Sequence, residues 1–294
     1  MKGKSDGPLA VEWAGKLDGH QGAVYDLALA GDGGLLSVGG DGMLVHWARQ
    51  EAGFASKGRA LARVEGALFC VAACPDGSVL AGGAGGGVLR WVGDGTWEMP
   101  FRHAGGTFVV SPQGSGGSDG QWVGHPGYDG TWSFSGKVRC MLEDAGGSGC
   151  WVGTSEGRIH HAGSRWSCEA HDGAVRALMH WPGRNAVASA GGDGRLVIWK
   201  AEANGQLEKV LTQDIHKGAV YRASADPSGR WVATCSRDRS VALWRSEDLD
   251  LAVRIRRPDL PGHKRSVNAL CWCGPDLLAS AGDDGDILLW RISF

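Results

Sequence analysis

Long apolar runs are missing from this sequence. No stretch approaches the roughly 18 residues that a membrane-crossing helix needs, and the opening MKGKSDGPLAVEW has no apolar segment of the kind a secretory leader carries. A block of one charge is missing too. Lys and Arg number 30 against 32 Asp and Glu, a net charge of −2 with no basic stripe, so neither nucleic acid nor a membrane surface is expected as a partner. The 8 cysteines include no C-x-x-C, and Cys271-x-Cys273 has no second pair at metal-binding spacing. Cys70, Cys74, Cys140, Cys150, Cys235, Cys271 and Cys273 lie in or beside apolar runs and read as buried, reduced thiols, which points to a cytoplasmic location. There is no G-x-S-x-G elbow for a hydrolytic serine. The glycine run Gly82 to Gly87 lacks the G-K-[ST] ending of a phosphate loop, and Gly3-Lys4-Ser5 follows no strand. No metal or cofactor is expected.

What the chain has in abundance is glycine, 50 residues, and tryptophan, 14 residues, within a composition that is 43% hydrophobic. So much glycine without order would suggest low complexity. Here it falls at turns between short apolar runs, where a positive φ is needed. The stretch from His263 to Trp290 shows the unit: an apolar run from Val267 to Cys273, a Gly-Pro-Asp turn, Leu277 to Ser280, an Asp-Asp-Gly turn, and a run ending on Trp290. That is a meander of three strands.

The unit repeats, and four residue types keep their spacing. His20, Ser37, Asp41 and Trp47 form one set, and His171, Ser189, Asp193 and Trp199 another. His216, Thr234, Asp238 and Trp244 follow, then His263, Ser280, Asp284 and Trp290. Each hydroxyl residue lies four before its Asp and each Trp six after it. Donor and acceptor chemistry joins them in a chain: indole N–H to hydroxyl, hydroxyl to one imidazole nitrogen, the other imidazole N–H to carboxylate. The chain would satisfy four polar groups away from water. The same residue types make a hydrolytic triad, but a nucleophile needs one exposed copy, and one set per repeat is a structural pattern.

With the Gly262-His263 opening, these sets resemble the WD40 repeat. Lys200, Arg245 and Arg291 stand where the family's name motif has Asp. The resemblance implies an all-β fold, a seven-bladed WD40-type β-propeller, spanning residues 9–294 as a single domain after a flexible tail, 1–8. Blades are expected at about 18–64, 65–101, 102–136, 137–170, 171–214, 215–260 and 261–294. The strand 9–17 stands alone before the first repeat, and the last repeat ends without an outer strand. Strand 9–17 is therefore expected to complete the last blade and close the ring.

Blades two to four are weak. Blade two keeps Trp91 but has Glu65-Gly66 and Gly85 where His and Asp would be. Blade three carries a Gly/Ser stretch, Pro112 to Gly120, that reads as an insertion. Its turn is placed at Asp129-Gly130, with Ser135 where Trp belongs, and the short distance to blade four predicts loss of its outer strand. The alternative is six blades, with 103–170 merged. Blade four has Glu156-Gly157 at its turn and no lock. The cluster Arg254, Arg256, Arg257 reads as charge on an outer edge strand.

Propellers of this family bind proteins or peptides on one face, which the residue after the first-strand Val and the residue before the lock Asp reach. Carried over singly, these positions are Tyr25, Phe69, Phe108, Arg139, Arg176, Tyr221 and Asn268, with Arg237 and Asp283. The set is rich in the aromatic and Arg side chains that dominate binding hot spots; otherwise the rings plug the channel. The resemblance thus implies a non-enzymatic interaction scaffold, monomeric, with a protein or peptide partner on the top face. The alternative is a lactonase- or lyase-like propeller enzyme, which would need convergent carboxylates or histidines at the channel mouth.

Overall fold

Short β-prone runs separated by turn residues can bury their faces only by pairing and stacking. In the computed structural model, which describes residues 9–93, 95–125, 128, 130–144 and 149–293, they do so as seven four-stranded antiparallel sheets and one two-stranded ribbon. The first strands of the sheets are Val24–Leu29, Leu68–Ala73, Thr107–Ser111, Val138–Glu143, Val175–Trp181, Val220–Ala225 and Val267–Trp272. Each lies against the first strands of both neighbours, and the seventh lies against the first, so the sheets are the blades of a closed ring.

The closure joins the two ends of the chain. Ala10–Leu17 pairs antiparallel with Ile287–Ser293, with Trp13 opposite Trp290, and supplies the fourth strand of blade seven. An unpaired edge on the last blade is thereby covered.

The second strand of every blade, from Leu35–Gly39 in blade one to Leu277–Gly282 in blade seven, is buried along its whole length. It is sandwiched by the neighbouring blades, so it reads as a continuous run rather than an alternating one. Between blades the core is aliphatic and indole: Trp47, Leu35 and Val45 of blade one meet Leu277, Ala279 and Leu289 of blade seven. Blades two to four come closer than large side chains allow. A Cβ on Gly116 would sit 2.3 Å from Val138 Cγ1 of the next blade, and one on Gly82 would sit 2.6 Å from Thr107 Cγ2.

Blade three corrects the sequence reading. It keeps all four strands, Thr107–Ser111, Gly114–Gly117, Gln121–Gly124 and Thr131–Ser133. The stretch taken for an insertion is its buried second strand, and the ring is neither trimmed nor six-bladed. Four residues with no side chain larger than Ser carry no apolar signal; their neighbours fill the space. Trp122 lies over Gly114 and His103 against Gly117. The turn sits at Asp119-Gly120. Asp129, like the tail 1–8, lies outside the described residues. Arg254 stands on an outer edge strand, as expected, with Arg256 and Arg257 just beyond that strand's end. On that strand, Leu251–Ile255, its Nη2 donates to Ile215 O at 2.8 Å and its Nη1 to Ser240 Oγ at 3.0 Å, so the guanidinium packs against the blade.

Candidate functional site

Four locks have the geometry their donors and acceptors require. In blade one, Trp47 Nε1–H donates to Ser37 Oγ at 2.9 Å, Ser37 Oγ lies 2.8 Å from His20 Nε2, and His20 Nδ1 lies 3.0 Å from both Asp41 oxygens. The carboxylate beside Nδ1 holds the ring proton there, leaving Nε2 to accept from the hydroxyl. Blade five repeats this with Trp199, Ser189, His171 and Asp193. Blade six does so with Trp244, Thr234, His216 and Asp238. Blade seven does so with Trp290, Ser280, His263 and Asp284. Each Asp also accepts backbone amides, Gln21 and Met43 in the case of Asp41.

Burial pushes these carboxyls up. The facing imidazoles and amides outweigh it and hold Asp193 and Asp284 at about 2. In blade six burial lowers His216 below the ordinary imidazole range. In each set the hydroxyl residue is buried and engaged by both its His and its Trp, so none of the four presents an exposed nucleophile.

A fifth, incomplete lock escaped the sequence reading. In blade three His103 Nδ1 lies 3.1 Å from Asp119 Oδ2 and Nε2 lies 3.0 Å from Ser115 Oγ. Ser115 and Asp119 keep the spacing of four, and His125 stands six beyond, where Trp would be. The His is only sixteen before its Asp because the first hairpin is shortened. His125 instead stacks on Phe101 with ring centroids 4.3 Å apart, and burial lowers it to about 4.

The channel mouth is built by one local irregularity used seven times. In every blade the ladder between first and second strand slips by one residue near its start. The residue left over is Tyr25, Phe69, Phe108, Arg139, Arg176, Tyr221 and Asn268 in turn. A β-bulge leaves one residue unpaired and re-aims its side chain; here it aims into the channel. These seven and Asp283 line one cavity of about 500 Å³. Arg237, singled out with them, is exposed and lies outside that lining.

Around the mouth the side chains touch in sequence. Tyr25 meets Phe69 edge-on at 5.5 Å between centroids, and Phe69 meets Phe108 at 5.5 Å. The Arg139 guanidinium lies 4.3 Å from the Phe108 ring centre, and Arg176 lies 4.9 Å from that of Tyr221. Asn268 Nδ2 donates to Asp283 Oδ1 at 2.8 Å and to Val24 O at 3.0 Å.

Below this ring lies a second one, formed by the residues after the bulges. There Arg222 of blade six donates to Asp26 of blade one. Blade seven offers only Ala269 at the equivalent position, which lets the two meet across it. Asp26 also accepts the amides of Leu27 at 2.9 Å and of Val71 in blade two at 3.1 Å. The carboxylate of Asp26 raises the Arg222 pKa. The pair was not singled out from sequence. Its signal was an Asp and an Arg at equivalent positions of two repeats where the others have Ala, Cys or Val.

Seven four-stranded blades around a channel, closed by strand exchange between the chain ends and tied by His–hydroxyl–Asp–Trp chains, define a WD-type β-propeller. The family model "WD domain, G-beta repeat" matches residues 12–48, 163–200, 207–245 and 255–291, and the chain belongs to the WD40 repeat family. It is 31% identical over 131 residues to nuclear distribution protein nudF 1 of Talaromyces marneffei, covering 44% of this chain and 28% of that protein. It is 32% identical over 88 residues to protein transport protein SEC13-2 of Candida glabrata, covering 29% of each. Protein HIR1 of Candida albicans is 32% identical over 93 residues, covering 32% of this chain and 10% of that protein. These matches span less than a third of each relative. Among solved structures, the WD40 β-propeller domain of Doa1 superposes with a TM-score of 0.79 at 17% identity, covering 96% of this chain and 97% of that one; the likeness is one of fold.

Proposed function

We propose that this propeller is a non-enzymatic scaffold of the cytoplasm that holds a protein or peptide partner over its channel mouth. The observation that carries the reading is the ring of seven bulged residues: the bulge between the first and second strand of each blade presents Tyr, Phe, Arg and Asn side chains to a single cavity. Aromatic and Arg side chains of this kind anchor protein interfaces. The relatives are named for different roles, nuclear distribution in one and protein transport in another, so kinship supports a shared platform and leaves the partner to the residues of the mouth. A hydrolytic reading finds less support. The acidic groups of the mouth are engaged, Asp26 by Arg222 and Asp283 by Asn268, and the described residues contain no group of three His, Cys, Asp or Glu that could grip a metal. The cytoplasmic placement rests on eight free cysteines, five of them buried.

Quantitative affinity capture from native lysate tests the reading, with the wild type compared with Phe69→Ala/Tyr221→Ala. A partner recovered by the wild type should be lost or strongly depleted with the double variant while the melting temperature is kept. Equal recovery by both removes the channel mouth as the binding site.

A further inference from the structure

Two positive charges at the channel mouth have no acidic partner among the described residues. The cavity lining contains Arg139, Arg176 and Arg222 against Asp26 and Asp283. Arg222 is spent on Asp26, and Asp283 is held by Asn268. Arg139 and Arg176, on adjacent blades, have no ion-pair partner among the described residues, and the Nε of each is buried without an acceptor. Each lies over an aromatic ring, which fixes the plane of its guanidinium before any ligand arrives. A pre-set guanidinium loses little rotamer freedom on binding an oxyanion. Burial, and after it the charge of Arg176, lowers the Arg139 pKa, as uncompensated neighbouring cations require.

The rest of the mouth has a different character. Tyr25, Phe69 and Phe108 form one continuous aromatic arc on blades one to three, ending where Arg139 begins. The mouth is therefore divided, cationic on blades four and five and aromatic on blades one to three.

Resting on the scaffold reading above, we infer that the mouth recognises an acidic peptide segment of the partner, with an Asp or Glu carboxylate between Arg139 and Arg176 and a neighbouring apolar side chain on the Tyr25–Phe69–Phe108 arc. A free anion would use the guanidiniums and leave the arc bare. A nucleic acid would bring phosphates toward Asp26 and Asp283 in a protein whose net charge is already −2. A cavity of about 500 Å³ holds a few side chains and not a folded domain.

Panning displayed random short peptides against the immobilised protein tests this. Selected peptides should be enriched in Asp or Glu beside an aromatic or aliphatic residue, and their binding should weaken as salt is raised. A synthetic copy of the best peptide should bind Arg139→Gln/Arg176→Gln about tenfold or more weakly, since a desolvated charge contact is lost. Phe69→Ala should weaken it as well. Glutamine keeps part of each stem over its ring, and a thermal melt confirms that the variant is folded; the single Arg176→Gln variant serves if it is not. Peptides without acidic enrichment, or peptides bound equally by the glutamine variant, overturn the inference. If such peptides still depend on Phe69, the scaffold reading survives without it. If no peptide is selected, both fall.

Discussion

At the residue scale, each lock is a chain of partners in which every member satisfies the next. Blade seven is the clearest case: His263 is buried, and it alone connects Ser280 to Asp284. His263→Ala should cost about 1–3 kcal/mol, the penalty for buried groups left unpaired. Urea unfolding measures it, and an unchanged midpoint would refute the accounting. Locks of this kind were legible from the sequence because all four positions are spelled by residue types that rarely recur at such spacing by chance. Blade three was misread for the converse reason. Its His-to-Asp distance is shortened, its Trp position is His125, and Asp129-Gly130 imitates the true turn at Asp119-Gly120. The pairing of Ser115 with Asp119 was the surviving clue.

At the element scale, the buried second strands decide how closely blades approach. At Gly82, Gly116 and Gly153 of these strands the next blade's first strand fills the room a side chain would take, with Thr107, Val138 and Val175 in turn. Gly116→Ala places a methyl carbon 2.3 Å from Val138 Cγ1. Overpacking of that kind costs about 1–3 kcal/mol, which a lowered melting temperature would register; a variant as stable as the wild type would show that the two blades can part freely. Sequence reasoning finds strands by their apolar rhythm, and a strand of Gly and Ser has none. Its strand character comes from side chains on other strands, which is why Gly114–Gly117 was taken for an insertion. The seven bulged positions could be named from family likeness, but the bulge that aims them is a property of two strands in register and is not written in either.

At the scale of the whole molecule, many perturbed groups act together on stability. Burial holds His125 at about 4, below the ordinary imidazole value of about 6.5, and burial lowers His160 and His216 in the same direction. The unfolded chain takes up these protons first. Their contribution is present in full above about pH 6.5 and is lost as the pH falls below it, for His125 toward about 4. The lock carboxylates Asp41, Asp119, Asp193, Asp238 and Asp284 are all held below the usual carboxylate range. Their contribution is present above about pH 4 and is lost below it, for Asp193 and Asp284 toward about pH 2. Denaturation measured across pH should therefore show a plateau near neutrality and a decline in two stages, the first softened in His125→Gln. A flat profile between about pH 7 and pH 4 would contradict the imidazole contribution.

The repeated bulge gives the ring an unusual freedom. A residue that stands outside the ladder can be exchanged without disturbing strand pairing, and each of the seven stands on a different blade. The channel mouth is thus a circular word of seven letters, reading Tyr, Phe, Phe, Arg, Arg, Tyr, Asn, whose spelling can drift one blade at a time while the framework that displays it stays the same.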